Sequence, residues 1–120
     1  MKFQFNEYGV CTNPNTPINY TDGMNHYTII TCEVSPGAWV YGVFCHCSDR
    51  GFGFGCFQNA PTKYDTEDKA IHHALRKVRE YLERNIKTDP HGSFAKPARK
   101  MVADIKKRLP NYMYIQTSLF

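Results

Sequence analysis

The sequence predicts an α+β fold: a three- to four-stranded, mainly antiparallel sheet in the order β-β-β-α-α-β, with two helices packed on one side. Three observations carry this expectation. Two tight-turn signals, Ser35-Pro36-Gly37-Ala38 and Ser48-Asp49-Arg50-Gly51, separate runs of β-branched and aromatic residues. Apolar residues recur at helical spacing twice, from Ile71 to Leu82 and from Phe94 to Leu109. The 120 residues fit one domain with a modest core, read as residues 1–25 (N-terminal edge strand and loop), 26–86 (a β-β-β-α unit) and 93–120 (a basic helix and a last strand).

Taken in order, residues 2–10 alternate Phe3 and Phe5 with Gln4 and Asn6, the pattern of an edge strand. From Cys11 to Asn25 the chain turns to Asn, Thr, Pro, Tyr and Gly, which is loop chemistry. Three strands follow. With Pro36-Gly37 as a turn centre, Val34 faces Trp39, Cys32 faces Tyr41 and Ile30 faces Val43. With residues 48–51 as a four-residue loop, Cys47 faces Phe52, Cys45 faces Phe54 and Val43 faces Cys56. Alternation then places Ile30, Cys32, Val34, Trp39, Tyr41, Val43, Cys45, Cys47, Phe52, Phe54 and Cys56 on a core face. Tyr27, Ile29, Thr31, Glu33, Val40, Phe44, His46 and Phe57 fall on the other, beside a lane emptied of side chains by Gly53 and Gly55. Such a glycine lane marks the close approach of another segment, expected here to be a loop or the N-terminal residues. Phe44 and Phe57 are expected to keep part of their surface accessible.

The first helix opens on Asp65-Thr66-Glu67-Asp68, a capping cluster with acids in the first turn. Ile71, Ala74, Leu75, Val78 and Leu82 form its apolar stripe. Thr88-Asp89-Pro90-His91-Gly92 separates it from the second helix, where Phe94, Ala98, Met101, Val102, Ile105 and Leu109 gather on one side. Lys96, Arg99, Lys100, Lys106 and Lys107 gather on the other, with Arg108 at the margin. Pro97 sits near the start, where a missing N–H costs least, and Pro110 closes the helix. Tyr112 to Phe120 alternates again and reads as a last strand.

The net charge of +4 is uneven. Residues 1–64 hold three Lys/Arg against four Asp/Glu, whereas residues 65–120 hold twelve against seven. Six of those twelve lie in the second helix, opposed there only by Asp104. A cationic helix face attracts phosphate backbones and acidic protein surfaces through the same field. It also serves, with no partner at all, as a solvated face that keeps the chain soluble.

Several chemistries are excluded. Cys45-His46-Cys47 does not make a zinc site, because His46 points away from both cysteines along a strand and no second pair of ligands exists. His72 and His73 are adjacent on a helix and do not chelate as an i, i+4 pair would; one is expected near the sheet and the other in solvent. Gly51-Phe52-Gly53-Phe54-Gly55 lacks the Lys-Ser/Thr of a phosphate-binding loop. Five cysteines, an odd number mostly on the predicted core face, read as buried thiols of a reducing compartment. Lys2-Phe3-Gln4-Phe5 is not a leader pattern, and no apolar run approaches the ~20 residues of a membrane span. The expectation is a cytoplasmic protein that needs neither metal nor cofactor and has no catalytic residues.

The opening of the first helix carries a resemblance. Three antiparallel strands followed by Thr66-Glu67-Asp68 and Ala70 to Leu75 resemble the start of the ribonuclease H-like fold. Nucleases of that fold hold two metal ions with acids on the first strand, first helix and fourth strand. Glu33 and Glu67 or Asp68 match two of those places, but residues 109–120 offer no acid, so nuclease activity is rejected. Thr66, Ala70, Ala74 and Leu75 also resemble antitoxins with a degenerate domain of this type. Tyr64-Asp65-Thr66-Glu67, with a Trp-bearing strand, looks like small proteins of phages and plasmids. That likeness implies nucleic-acid binding or inhibition of a host-defence complex.

Two functions follow as expectations. The first is a small, basic, non-enzymatic protein of phage or mobile-element type, docking nucleic acid or a nucleoprotein complex through Lys96, Arg99, Lys100, Lys106, Lys107 and Arg108. The alternative is an inhibitor or adaptor, anti-CRISPR-like, that recognises a protein partner through the N-terminal loop and the sheet-face residues Tyr27, Phe44, His46 and Phe57.

Overall fold

A computed structural model describes residues 2–112. Four strands, β1 (Asn15–Asp22), β2 (Asn25–Ser35), β3 (Ala38–Cys47) and β4 (Arg50–Phe54), form one antiparallel sheet in the order β1-β2-β3-β4. Two helices follow, α1 (Glu67–Thr88) and α2 (Ala95–Arg108), and a short 3-10 turn spans Leu109–Tyr112. The fold is α+β, with both helices on one side of the sheet. The fourth strand comes from the N-terminal side, however. The last strand expected over Tyr112–Phe120 starts inside the 3-10 turn and otherwise lies outside the described residues.

Three turns set the registers, and each explains a departure from expectation. Gly23 (φ +65°) and Met24 close a two-residue loop between Asp22 and Asn25. Glycine at the first central position is the requirement of one of the hairpin-compatible turns. The segment expected to be a loop is therefore half a hairpin. Its sequence hid this because only Ile18 of β1 is buried, and Pro17 interrupts the alternation where an edge strand tolerates it.

At the second turn Ser35 pairs with Ala38 as expected, but Glu33 then pairs with Trp39, so Val34 is an extra residue. A proline at the first central position excludes the turns whose twist matches the strands, because its ring fixes φ negative. The one-residue bulge lies immediately beyond it. It reverses the two faces of β2 relative to the prediction. Tyr27, Ile29 and Thr31 point to the helices with Tyr41, Val43 and Cys45, while Ile30, Cys32 and Val34 point away.

The third turn is tighter than the four residues expected: Ser48, at φ +59°, and Asp49 connect Cys47 directly to Arg50. Cys45 thus pairs with Phe52 and Val43 with Phe54, a shift of two residues that keeps Phe52 and Phe54 on the helix side, whereas Cys56, expected there too, lies past the end of β4 in the core on the other side. Asn25 braces the turn, its Oδ1 accepting from the Ser48 N–H at 2.8 Å.

α1 starts where its capping cluster predicts. Thr66 Oγ1 accepts the Lys69 N–H at 3.2 Å, and Glu67 and Asp68 occupy the first turn. Glu67 also joins the helix to the sheet, accepting from Asn15 Nδ2 at 2.9 Å and from the buried Thr31 hydroxyl at 2.7 Å. Ala70, Ile71, Ala74, Leu75, Val78 and Leu82 bury its apolar stripe. α2 buries Ala98, Met101, Val102 and Ile105 beside α1, and Phe94 fills the corner between helices and β4. The Arg50 guanidinium stands over the Phe94 ring at 5.2 Å and donates to Asn85 Oδ1 at 3.0 Å, tying β4 to that corner.

A second, smaller core lies on the opposite side of the sheet. Phe3, Cys11, Ile30, Cys32, Val34, Val40 and Cys56 form it, with Phe5 and Trp39 at its edge. Residues 2–10 do not make the expected edge strand. They fold over this face through isolated bridges Phe5–Cys11 and Val10–Phe57, and Phe3 meets the Trp39 ring edge-on at 5.9 Å. The glycine lane admits them: a Cβ on Gly55 would stand 3.2 Å from Val10 Cγ1.

Candidate functional site

The sequence-predicted residues divide between two places on opposite sides of the sheet. The first is the outer face of α2. Lys96, Arg99, Lys100, Lys106 and Lys107 are all exposed. Lys96, Lys100 and Lys107 are spaced by four and seven residues and so share one stripe, which rises about 16 Å along the helix. Arg99 and Lys106 flank that stripe on the side nearer α1.

Why this face keeps its charge is a matter of where Asp104 goes. The carboxylate turns inward, accepting from the buried Tyr27 hydroxyl and from Arg108 Nε at 2.8 Å. Arg108 is half-buried in that pair and takes no place on the exposed stripe. The stripe's own contacts are weak. Lys100 Nζ lies 3.9 Å from the Asp22 carboxylate, and Arg99 Nη2 donates to the Pro90 carbonyl at 3.0 Å. Lys96, Lys106 and Lys107 form no ion pair among the described residues. On α1, Lys69 pairs with Asp65 at 2.8 Å and Arg79 with Glu83 at 3.1 Å.

The second place is the uncovered half of the far sheet face. Phe44 is 44% exposed and Phe57 36%. The Phe44 ring lies across Gly53, where an added Cβ would meet Phe44 Cδ1 at 2.8 Å. His46 is half-buried and stacks on His26, its cross-strand neighbour, with ring centres 5.9 Å apart. Tyr27, expected beside them, is not there. The Val34 bulge turns it to the helix side, where it is fully buried. Burial, then the bond to Asp104, pushes its phenol far above the usual range.

The remaining candidates carry structure. Cys45 and Cys47 lie in the main core with His46 on the opposite face, as the strand geometry requires. Burial pushes Cys45 up to about 12 and Cys47 up to about 11. Cys11, Cys32 and Cys56 share the second core, where hydrogen bonding to Cys56 and then burial hold the Cys32 thiol protonated. No group of three or more His, Cys, Asp or Glu among the described residues is placed to hold a metal ion. His72 and His73 are both half-buried, rather than one against the sheet and one in solvent. His73 stacks on Tyr64 at 4.7 Å, and burial lowers the pKa of both imidazoles.

One feature of the charged face was not legible in the sequence. α1 and α2 border an open groove of about 450 Å³ lined by Glu83, Ile86, Lys87, Arg99, Val102, Ala103 and Lys106. Ile86 and Lys87 come from the end of α1, whose role in the sequence was purely structural. Their periodicity places them on a helix but does not say what the next helix lays beside them.

No helix among the described residues is long and apolar enough to cross a membrane. No family model, curated protein or solved structure matches the chain.

Proposed function

We propose that this chain is a small, non-catalytic binding protein that docks a nucleic acid or nucleoprotein complex through the outer face of α2. The observation that supports this is the partition of charge on the helix. Five cations face solvent while its one acid is turned inward onto Tyr27 and Arg108. Such a surface neutralises phosphates and releases their counterions, an effect that gives affinity with little sequence preference. The resemblance of the strands and first helix to phage, plasmid and antitoxin proteins makes a cytoplasmic target from a mobile element or a host-defence complex part of the same proposal.

The test is a pull-down from lysate at moderate and high salt, with and without nuclease. Captured nucleic acid that is lost at high salt and after nuclease supports the reading. A protein retained under both treatments, with no nucleic acid captured, would favour a second reading. In that one the chain is an inhibitor or adaptor gripping a protein through the far sheet face. The exposure of Phe44 and Phe57 on a face that the N-terminal residues cover only in part is what speaks for it.

A further inference from the structure

The α1/α2 groove opens beside the cation stripe, and its walls and floor differ in chemistry. Lys87 stands on the α1 wall and Arg99 and Lys106 on the α2 wall, so positive charge borders it from both sides. Ile86, Val102 and Ala103 supply aliphatic surface between them. Glu83, held by Arg79 Nε at 3.1 Å, sets one carboxylate at its edge. At about 450 Å³ the groove, open to solvent, has room for a flat ring.

A ligand that uses all of these features carries negative charge repeated along its length, to lie on Lys96, Lys100 and Lys107, and a flat group with apolar ring faces branching from it. It also offers an N–H donor to Glu83. A single nucleic-acid strand has each of these. A duplex presents the same phosphates but keeps its bases stacked and paired inside.

We propose that the groove between α1 and α2 receives an unpaired base of a single strand whose phosphates lie on the outer face of α2. This rests on the nucleic-acid reading above and narrows it to single-stranded nucleic acid. Ala103 is the residue that decides access. It is exposed, lines the groove, and is the one small side chain among the α2 cations. A larger side chain there fills the groove without changing charge.

The experiment measures affinity for a labelled oligonucleotide, single-stranded and as a duplex, with the wild-type chain, Ala103→Phe and Ala103→Leu. The wild type should prefer the single strand, and Ala103→Phe, by filling the space the base takes, should weaken single-strand binding about tenfold while leaving duplex binding unchanged. Ala103→Leu should fall between them. A strand carrying 2-aminopurine gives an independent signal, its fluorescence changing on binding to the wild type and not to Ala103→Phe. Equal wild-type affinity for strand and duplex, or an unchanged ratio in both variants, would overturn the groove proposal and leave the α2 docking reading standing. Tighter binding of polyglutamate than of the strand, at equal charge and salt, would overturn it in favour of an acidic protein segment. Binding of neither nucleic acid, even at low salt, would overturn both.

Discussion

Asp104 shows how one residue arranges a surface from beneath it. By accepting from Tyr27 and Arg108 it removes the only acid from the α2 face and fixes the helix to β2. Its partner, the Tyr27 hydroxyl, is buried, so Tyr27→Phe removes a bond to a charged group and should cost about 1.5–3 kcal/mol in urea unfolding. Binding to nucleic acid should be unchanged, because Arg108 still holds Asp104 inward at 2.8 Å and the exposed lysines are untouched. The thiols make a pH prediction. Cys45 and Cys47 have pKa values raised to about 12 and about 11 in the fold, against the ordinary thiol value of 9.0 outside it. A group raised on folding leaves stability intact below its unfolded pKa and withdraws it above. Stability should therefore hold up to about pH 9 and fall as pH rises towards about 11, with the raised phenols of Tyr27 and Tyr41 adding to the fall. Iodoacetamide should leave both thiols unlabelled at pH 8 in the native state. Ready labelling, or flat stability from pH 9 to 11, would contradict their burial.

Among the elements, the helices were legible and the strands only in part, for reasons that lie in particular residues. Ile71, Ala74, Leu75, Val78 and Leu82 fall on one stripe, and nothing polar competes for it. β2 is apolar on both sides, with Ile29 towards the helices and Ile30 towards the second core, so its pattern fits either face. The register then depended on the Pro36-Gly37 turn, and the Val34 bulge reversed it. β1 has a single buried side chain, Ile18, and gives no period to read. The cations of α2 were legible because charge periodicity marks a solvent face directly. Their neighbours across the groove were not, because helix pairing is a tertiary fact. Glycine substitutions test the observed registers. A Cβ on Gly42 would lie 2.6 Å from the Phe54 carbonyl oxygen and 2.8 Å from the Gly55 carbonyl carbon, backbone atoms that cannot yield. Gly42→Ala should therefore destabilise by about 1–3 kcal/mol. Gly53→Ala chiefly meets the movable Phe44 ring and should cost less. Equal melting midpoints for the two variants would count against the β3–β4 pairing and the close approach at Gly42.

For the molecule as a whole, the sheet separates two surfaces: cations outside α2, and Phe44, Phe57 and the His26–His46 stack on the far side. No flat partner touches both, so their contributions should separate cleanly. Phe44→Ala, which removes a side chain 44% exposed, should leave nucleic-acid affinity within error of wild type. Docking through the α2 face shows itself in the salt dependence of binding. Anisotropy of a labelled single strand, followed across a salt series, should give a logarithm of affinity that falls linearly with the logarithm of salt, by about 0.7 per phosphate contact. Lys96→Gln/Lys100→Gln/Lys107→Gln should flatten that slope by about 2 while shifting stability by no more than about 0.5 kcal/mol per site. A slope unchanged in the triple variant, or no binding by the wild type at the lowest salt, would contradict docking through α2.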